Sequence, residues 1–180
     1  MAEQFSFDRE KALAAILFIS SQVPNIRYHR LMKILYFADL KHLSMYGRTV
    51  IGDRYIAMQH GPVPSNVYNM LKAENEYLTW KDKYFSVSFW KHVTPKQDPD
   101  MYEFSDSDIE CLEFSIKENR NKPWNVLREH SHDNAWNYTW DNLGKNRAIP
   151  IDKIIDQSGA GPEIQKYILE RINYDSYKFS

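Results

Sequence analysis

The sequence predicts a mainly helical α+β fold, a single helical domain around a central buried helix with a small antiparallel β-hairpin. Three observations predict it. Most apolar residues recur every three or four positions, as in helices that cover a core. One segment near the middle alternates between apolar and polar residues instead, as a strand does. The 180 residues contain no repeat and no linker long enough to divide them, so we expect one domain over residues 1–180.

The first two helices are predicted from their apolar faces. Ser6 and Asp8 are candidate N-caps of a helix that ends near Pro24. A second helix is predicted from Arg27 to Tyr46, with Gly47 at the left-handed position that closes a helix. Its apolar residues cover far more than one stripe, which predicts a central, largely buried helix; they are Leu31, Met32, Ile34, Leu35, Tyr36, Ala38, Leu40 and Leu43.

A short extended segment is predicted next, at Tyr55–Met58. Residues 60–64 follow it as a loop, because two prolines and a glycine exclude a helix there. Ser65 is then the candidate N-cap of a short helix that reaches about Glu76.

The hairpin is predicted between Trp80 and Phe104. Phe85, Val87 and Phe89 alternate with polar residues in its first strand, and residues 101–104 are the candidate second strand. The polar, proline-containing residues 95–100 would form the turn between them.

The last third of the chain is predicted to be helical, with one irregular stretch. Residues 105–108 form a strong helix start, and that helix continues to Asn119. Pro123 suits the first turn of a short helix, whereas residues 131–142 are predicted to be irregular. Two final helices are predicted to begin at Pro150 and at Gly161-Pro162.

The composition suits a globular protein of the reducing cytoplasm. Twenty-three basic and 24 acidic residues give a net charge of −1, so no global field attracts nucleic acid or membranes. Cys111 is the only cysteine, which excludes an internal disulfide and a thiolate-based zinc site. The sequence begins with no export signal and contains no apolar run of membrane length. We expect no cofactor.

Two sets of residues are candidates for chemistry. Asp39 and His42 lie on one face of the predicted central helix, and His42, Arg48, Arg54 and His60 are candidate partners for the Asp39 carboxylate. A structural polar network that holds the loop on the helix is favoured over an acid–base pair. The sequence His130-Ser131-His132-Asp133 resembles a metal-ligand cluster, but its two histidines would point apart on a helix, so ordinary polar contacts are favoured.

Basic residues form two groups that are candidate contacts for nucleic acid. The first group is Arg27, His29, Arg30 and Lys33, and the second is Lys81, Lys83, Lys91 and Lys96. Aromatic residues alternate with the second group, which would suit stacking on single-stranded bases. Acidic residues near the second group reduce its net positive charge. A solvated face is therefore the favoured interpretation, and nucleic-acid binding is not expected.

Residues 31–68 resemble the signature of the Panacea domain, the SocA-like antitoxin family that includes many phage-associated proteins. The matching stretches read LMKILYFAD at 31–39 and AMQHGPVP at 57–64. Ser131-His132 and Ala135-Trp136 resemble a later element of the family and extend the likeness to about Trp140. The residues that carry the resemblance most clearly are Tyr36, Asp39, His42, Gly47, Asp53, His60, Gly61, Pro62 and Trp136.

The resemblance implies a bacterial antitoxin that neutralises a cognate protein toxin by direct binding, without catalysis. Two alternatives are an adaptor that delivers the bound toxin to an AAA+ protease and a DNA-binding regulator, and a homo-oligomer is a further expectation. The resemblance also implies that the shared residues are scaffold, so residues outside them would bind the toxin. The candidates are Trp80, Tyr84, Phe85 and Trp90 in the hairpin region and Tyr174, Tyr177 and Phe179 in the tail.

Overall fold

A computed structural model of the chain describes residues 5–80 and 82–178, with backbone only for residues 75 and 173–178. Within that part the fold is mainly α-helical with small antiparallel sheets, as predicted. Its eight α-helices are α1 (Arg9–Gln22), α2 (Tyr28–Tyr46), α3 (Ser65–Lys72), α4 (Asp106–Asn119), α5 (Trp124–Ser131), α6 (Asn134–Tyr138), α7 (Ile151–Ser158) and α8 (Pro162–Lys178). The assignment of residues 1–180 to one domain stays a prediction.

Helix α2 is the centre of the fold, which confirms the prediction from its wide apolar surface. It packs against six other helices, most extensively against α4. Leu31, Ile34 and Leu35 belong to a core cluster shared with α1 and α4. Tyr36 and Leu43 belong to a second cluster shared with α6, α7 and α8. Because both sides of α2 face a core, this helix needs apolar residues around most of its circumference.

A three-stranded antiparallel sheet covers part of α2. It is ordered β2 (Gly61–Pro64), β1 (Tyr55–Met58) and β5 (Arg147–Ala148). Strand β1 was predicted, but β2 lies in the segment predicted to be a loop. Its two prolines are compatible with an edge position, because an edge strand can lack donors on one side.

The predicted hairpin exists, but its second strand and its turn were predicted wrongly. Strand β3 (Phe85–Val87) pairs with β4 (Val93–Pro95), and residues 101–103 form a single 3₁₀ turn. The chain reverses within residues 88–92, where the amide of Ser88 donates to the carbonyl of His92 at 2.9 Å. Val93 is closer to β3 in the chain than residue 101 is, so a shorter loop is enough to pair it with that strand. It lies opposite Val87, which brings two apolar side chains together.

Two local predictions in the rest of the chain were also wrong. Ser65 is the first residue of α3, and the carboxylate of Asp53 accepts the hydrogen bonds from the amides of Asn66 and Val67 at its start. Residues 131–142 are largely helical, because Asp133 caps α6 by accepting from the amide of Trp136 at 3.1 Å. A polar composition concealed this short capped helix.

The other helix ends agree with their sequence signals. Asp8 caps α1, Ser105 and Asp108 form a capping box on α4, and Gly47 closes α2 with φ +68°. Helices α7 and α8 begin at the predicted prolines. None of the helices in the described ranges combines the length and the apolar character needed to cross a membrane.

Candidate functional site

Asp39 on α2 is completely buried and holds the loop that follows the helix. Its carboxylate accepts hydrogen bonds from the amide of Val50 at 2.7 Å and from the hydroxyl of Tyr55 at 2.6 Å. Burial raises the pKa of Asp39 to about 7, although both hydrogen bonds oppose the shift. None of the four partners predicted for Asp39 makes a hydrogen bond with it, because those side chains point elsewhere.

His42 is also buried, and it belongs to a separate network on α4. Its Nδ1 lies 2.8 Å from the carbonyl oxygen of Arg48, and its Nε2 lies 3.0 Å from the hydroxyl of Ser107. Three residues advance a helix by about 300°, so the side chains of Asp39 and His42 share one face but lie about 60° apart around the axis. This separation lets them contact different neighbours. Both fasten residues 48–55 to α2, in agreement with the favoured interpretation of a structural polar network.

Asp108 is the centre of the second network, whereas its sequence context predicts only a residue at a helix start. Its carboxylate lies 2.6 Å from Lys11 Nζ and 2.8 Å from Arg48 Nη1, the latter without the alignment of a hydrogen bond. Burial alone would raise the pKa of Asp108, but its contacts with His42, Arg48 and Lys11 hold that pKa well below the usual range. Asp108 therefore connects α1, α2 and α4.

Lys33 is not part of a basic surface, contrary to its place in the first basic group. Its side chain is 2% exposed, and Nζ donates to the carbonyl of Pro62 at 2.7 Å. Burial lowers the pKa of Lys33 to about 7, opposed by the charge of Asp133. Gly61 lies against this amine and has a φ of +101°. A Cβ at residue 61 would overlap Ser131 Oγ and would lie 2.8 Å from Lys33 Nζ. The Gly-Pro pair of the signature thus fits around a buried lysine.

The two stretches that carry the family resemblance meet around Tyr36 and Trp136. The hydroxyl of Tyr36 donates to Asp133 at 2.7 Å, and Trp136 Nε1 donates to the carbonyl of Met58 at 2.9 Å. The ring of Trp136 also stacks between His132 and Trp140, with centroids 3.9 and 4.8 Å away. These contacts join residues 31–68 to residues 131–140, which the sequence alone could not do.

His60 differs from the other signature residues because it is exposed. It lies in the turn between β1 and β2, and within the described part of the chain its ring makes no hydrogen bond. It lines two neighbouring cavities of about 510 and 450 Å³, and His29 lines both as well. Of the signature side chains, His60 is thus the one placed to meet a ligand.

The residues predicted to contact a partner fall into three groups. Trp90 is 67% exposed at the hairpin turn, beside Phe89, which is 85% exposed and was predicted only as a strand residue. Trp80 and Tyr84 are half-buried and pack edge to face at 5.2 Å. Phe85 is 2% exposed and lies in the core, so it is unavailable to a partner. Tyr174 and Tyr177 lie on α8 with side chains outside the described part, and Phe179 lies outside the described residues altogether.

The described residues show little provision for metal or thiol chemistry. Within residues 5–80 and 82–178, no group of three or more His, Cys, Asp and Glu side chains could hold a metal ion. Cys111 is buried in α4, and burial raises the pKa of its thiol to about 11. It is a packing residue, as predicted.

The fold and the site together define a helical protein with a buried polar scaffold and an exposed aromatic turn. The family model described as "Antitoxin SocA-like, Panacea domain" matches residues 31–137, more than half of the chain. The chain therefore belongs to this antitoxin family, which confirms the resemblance found in its signature residues. A comparison with curated proteins and one with solved structures each found no match.

Proposed function

We propose that this protein is an antitoxin that neutralises a cognate protein toxin by direct binding, without catalysis. Membership of the antitoxin family supports a protein toxin as the partner in general. The observation that carries the proposal is the exposed aromatic pair Phe89–Trp90 at the turn of the β3–β4 hairpin, here called the hairpin tip. Aromatic side chains are enriched at the centres of protein interfaces.

The hairpin tip is held rigidly, which suits it for binding. Phe85 and Val93 anchor the two strands in the core. The amide of Tyr28 donates to the carbonyl of Lys91 at 2.9 Å, and the amide of Val93 donates to the carbonyl of Ile26 at 2.8 Å. These bonds fasten the hairpin to the start of α2. A turn that is already ordered loses little conformational entropy when a partner covers it.

Three buried titratable residues support a role without catalysis. Asp39, His42 and Asp108 are enclosed and committed to contacts within the protein. A catalytic acid or base must reach a substrate within hydrogen-bonding distance, directly or through one water. These three groups reach only neighbouring side chains and backbone, so their role is to fix the scaffold.

The test is co-expression with the protein encoded by the adjacent gene. We expect that protein to arrest growth alone, and this chain to restore growth and co-purify with it. The variant Asp39→Asn should still restore growth at a temperature where it is folded, because the proposal gives Asp39 no chemical step. Failure of the wild-type chain to restore growth or to bind the adjacent product would reject the proposed function.

The adaptor function is a second form of the same proposal, in which the bound toxin is delivered to an AAA+ protease. It differs in the half-life of the toxin, which should shorten when the adaptor is present and stay equal or lengthen under simple neutralisation.

The tail residues Tyr174, Tyr177 and Phe179 are a second proposed contact surface, tested by a chain that ends at residue 173. A homo-oligomer is proposed as well, and light scattering of the purified protein would measure it.

A further inference from the structure

A cleft lies beside the hairpin, between the start of α2 and the start of α5. Its volume is about 510 Å³, which is within the range of small-ligand sites. Six of its lining residues are basic or imidazole side chains, and this set is called the basic cleft: Arg27, His29, Arg30, His60, His92 and Arg120. The described residues that line it include no aspartate and no glutamate.

The positive charge of the basic cleft has no acidic counterpart within the described part of the chain. Arg27 Nε donates to His92 Nε2 at 3.4 Å, so its guanidinium contacts an imidazole and not a carboxylate. Arg120 is exposed, and the ion pairs found among the described residues involve none of the three cleft arginines. Two guanidinium groups therefore face the cleft without a carboxylate.

The third arginine shapes the wall of the cleft. Arg30 donates to the carbonyl oxygens of Asn119 and Lys122 at 2.7 and 2.8 Å, just beyond the last turn of α4. These bonds hold the connection to α5 in place but leave the charge of Arg30 on the cleft side. The indole of Trp124 lines the cleft as well, with its ring 6.1 Å from that of His29.

His29 reports the electrostatic potential inside the basic cleft. Burial and the positive charges of His60, Lys33, Lys91 and Arg27 lower the pKa of His29 to about 4. Burial is the largest cause of this shift, and the smaller part that comes from the neighbouring positive charges reflects a positive potential, which favours an anion. The partial burial also limits screening by salt.

The basic cleft and the hairpin tip share the turn of the β3–β4 hairpin. His92 lines the cleft and lies two residues after Trp90, and Arg27 connects it to α2. A partner that covers the aromatic pair would therefore place its neighbouring residues over the cleft. Three arginines around an open cleft of this size suit one or two carboxylates, whereas nucleic acid is usually bound by a longer track of phosphate contacts.

We infer that the basic cleft receives the carboxylate side chains of an acidic segment of the toxin while the hairpin tip packs on an adjacent apolar side chain of the same segment. This inference rests on the proposed function for the identity of the partner. It assigns binding energy and specificity to charge pairing in the cleft, because guanidinium groups bind carboxylates with two parallel hydrogen bonds.

The first test uses the full chain and a short synthetic peptide in which glutamates flank a leucine. We expect the peptide to shift the ring-proton signals of His29 and His92, and its glutamine counterpart to leave them unchanged. Arg27→Gln with Arg120→Gln should weaken peptide binding roughly tenfold, the scale of two exposed ion pairs. Lys166→Gln with Arg171→Gln removes the same charge from α8 and should leave the affinity unchanged.

Three results would overturn the inference. One is equal binding of the acidic peptide and the glutamine peptide, and another is an equal loss of affinity in the two double variants. The third is tighter binding of inorganic phosphate or of a single-stranded oligonucleotide at the same histidines, which would assign the cleft to a phosphate ligand.

The second test uses the toxin and separates this inference from the proposed function. Arg27→Gln with Arg120→Gln should raise the toxin Kd roughly tenfold and increase the dissociation rate. If the toxin binds this variant as tightly as wild type, the cleft inference fails while the proposed function stands. If no adjacent product binds the wild-type chain, the proposed function fails, and the peptide titration still decides what the cleft binds.

Discussion

Replacing Asp39 by Asn should change how the stability of this protein depends on pH. Asp39 is completely buried between the amide of Val50 and the hydroxyl of Tyr55. Asparagine has nearly the same shape and can still accept from Val50, but it cannot ionise. Its amide would have to donate to the Tyr55 hydroxyl, a rearranged bond that we expect to lower the free energy of unfolding by about 1 kcal/mol at low pH.

The sign of the pH effect follows from the raised pKa of Asp39, which is about 7 in the folded protein. In the unfolded chain the pKa of an aspartate is about 3.9, so the folded state binds the proton more tightly. The stability from the protonated carboxyl is fully present below pH 4 and is lost as the pH rises to 7. Three pKa units correspond to an upper bound of about 4 kcal/mol. Relative to wild type, Asp39→Asn should therefore gain stability over this range.

The assay is urea denaturation of both proteins, followed by tryptophan fluorescence from pH 5 to pH 8 at constant ionic strength. Asp53 and Asp133 also have raised pKa values because they are buried, and both remain in the variant, so only the part of their effect that is coupled to Asp39 remains in the difference. We expect the difference between variant and wild type to become more favourable to the variant as the pH rises. Parallel curves, or a difference that changes in the opposite direction, would refute the account of Asp39.

Three further predictions concern packing and charge. Asp108→Asn should lower the free energy of unfolding at pH 7 by about 3 kcal/mol in urea denaturation, because it leaves the partly buried Lys11 and Arg48 without their buried carboxylate; a loss under 1 kcal/mol would contradict the network. Gly61→Ala should lower it by at least about 2 kcal/mol, since the new Cβ overlaps Ser131 Oγ at a positive φ. Gly159→Ala, which has a positive φ but open space, is the matched control and should lose only about 1 kcal/mol. Cys111 should react with Ellman's reagent no faster than the protein opens, because its thiol is buried and its pKa is about 11; rapid reaction of the native protein would refute this.

Local signals in the sequence were enough to predict much of the fold. The wide apolar surface of α2 predicted a central, largely buried helix, and the structure places it between two core clusters. The caps Asp8 and Ser105 and the closing residue Gly47 act on neighbouring backbone groups, so they can be read from adjacent positions. The family signature likewise lies in continuous stretches.

Contacts between distant residues could not be predicted in the same way. The partner of Asp108 on α1 is Lys11, and no pattern connects these positions. Lys33 has the composition of a surface residue, but the Gly-Pro segment encloses it and provides a carbonyl for its amine. The strand character of residues 101–104 predicts that they form the second strand of the hairpin. The actual partner of β3 is Val93–Pro95, because strand register depends on which side chains can face the core.

The proposed binding surface lies at one end of α2, and α8 lies at the other end. The hairpin tip and the basic cleft lie at its start, where Tyr28 bonds to Lys91. Helix α8 lies against its other end, where a Cβ on Gly47 would approach the ring of Tyr167 to 2.7 Å. The helix has 19 residues, which gives a length of roughly 28 Å. The hairpin tip and α8 therefore lie at opposite ends of α2.

The central claim is that the hairpin tip binds the toxin, and calorimetric titration of the purified toxin tests it most directly. Phe89→Ser with Trp90→Ser should raise the Kd by at least about 30-fold, the effect of losing about 2 kcal/mol at an aromatic anchor. Phe114→Ser, a control at an exposed aromatic site on α4, should leave the Kd unchanged. Thermal unfolding should show that both variants remain folded. A tip variant that binds the toxin as tightly as wild type would contradict the claim.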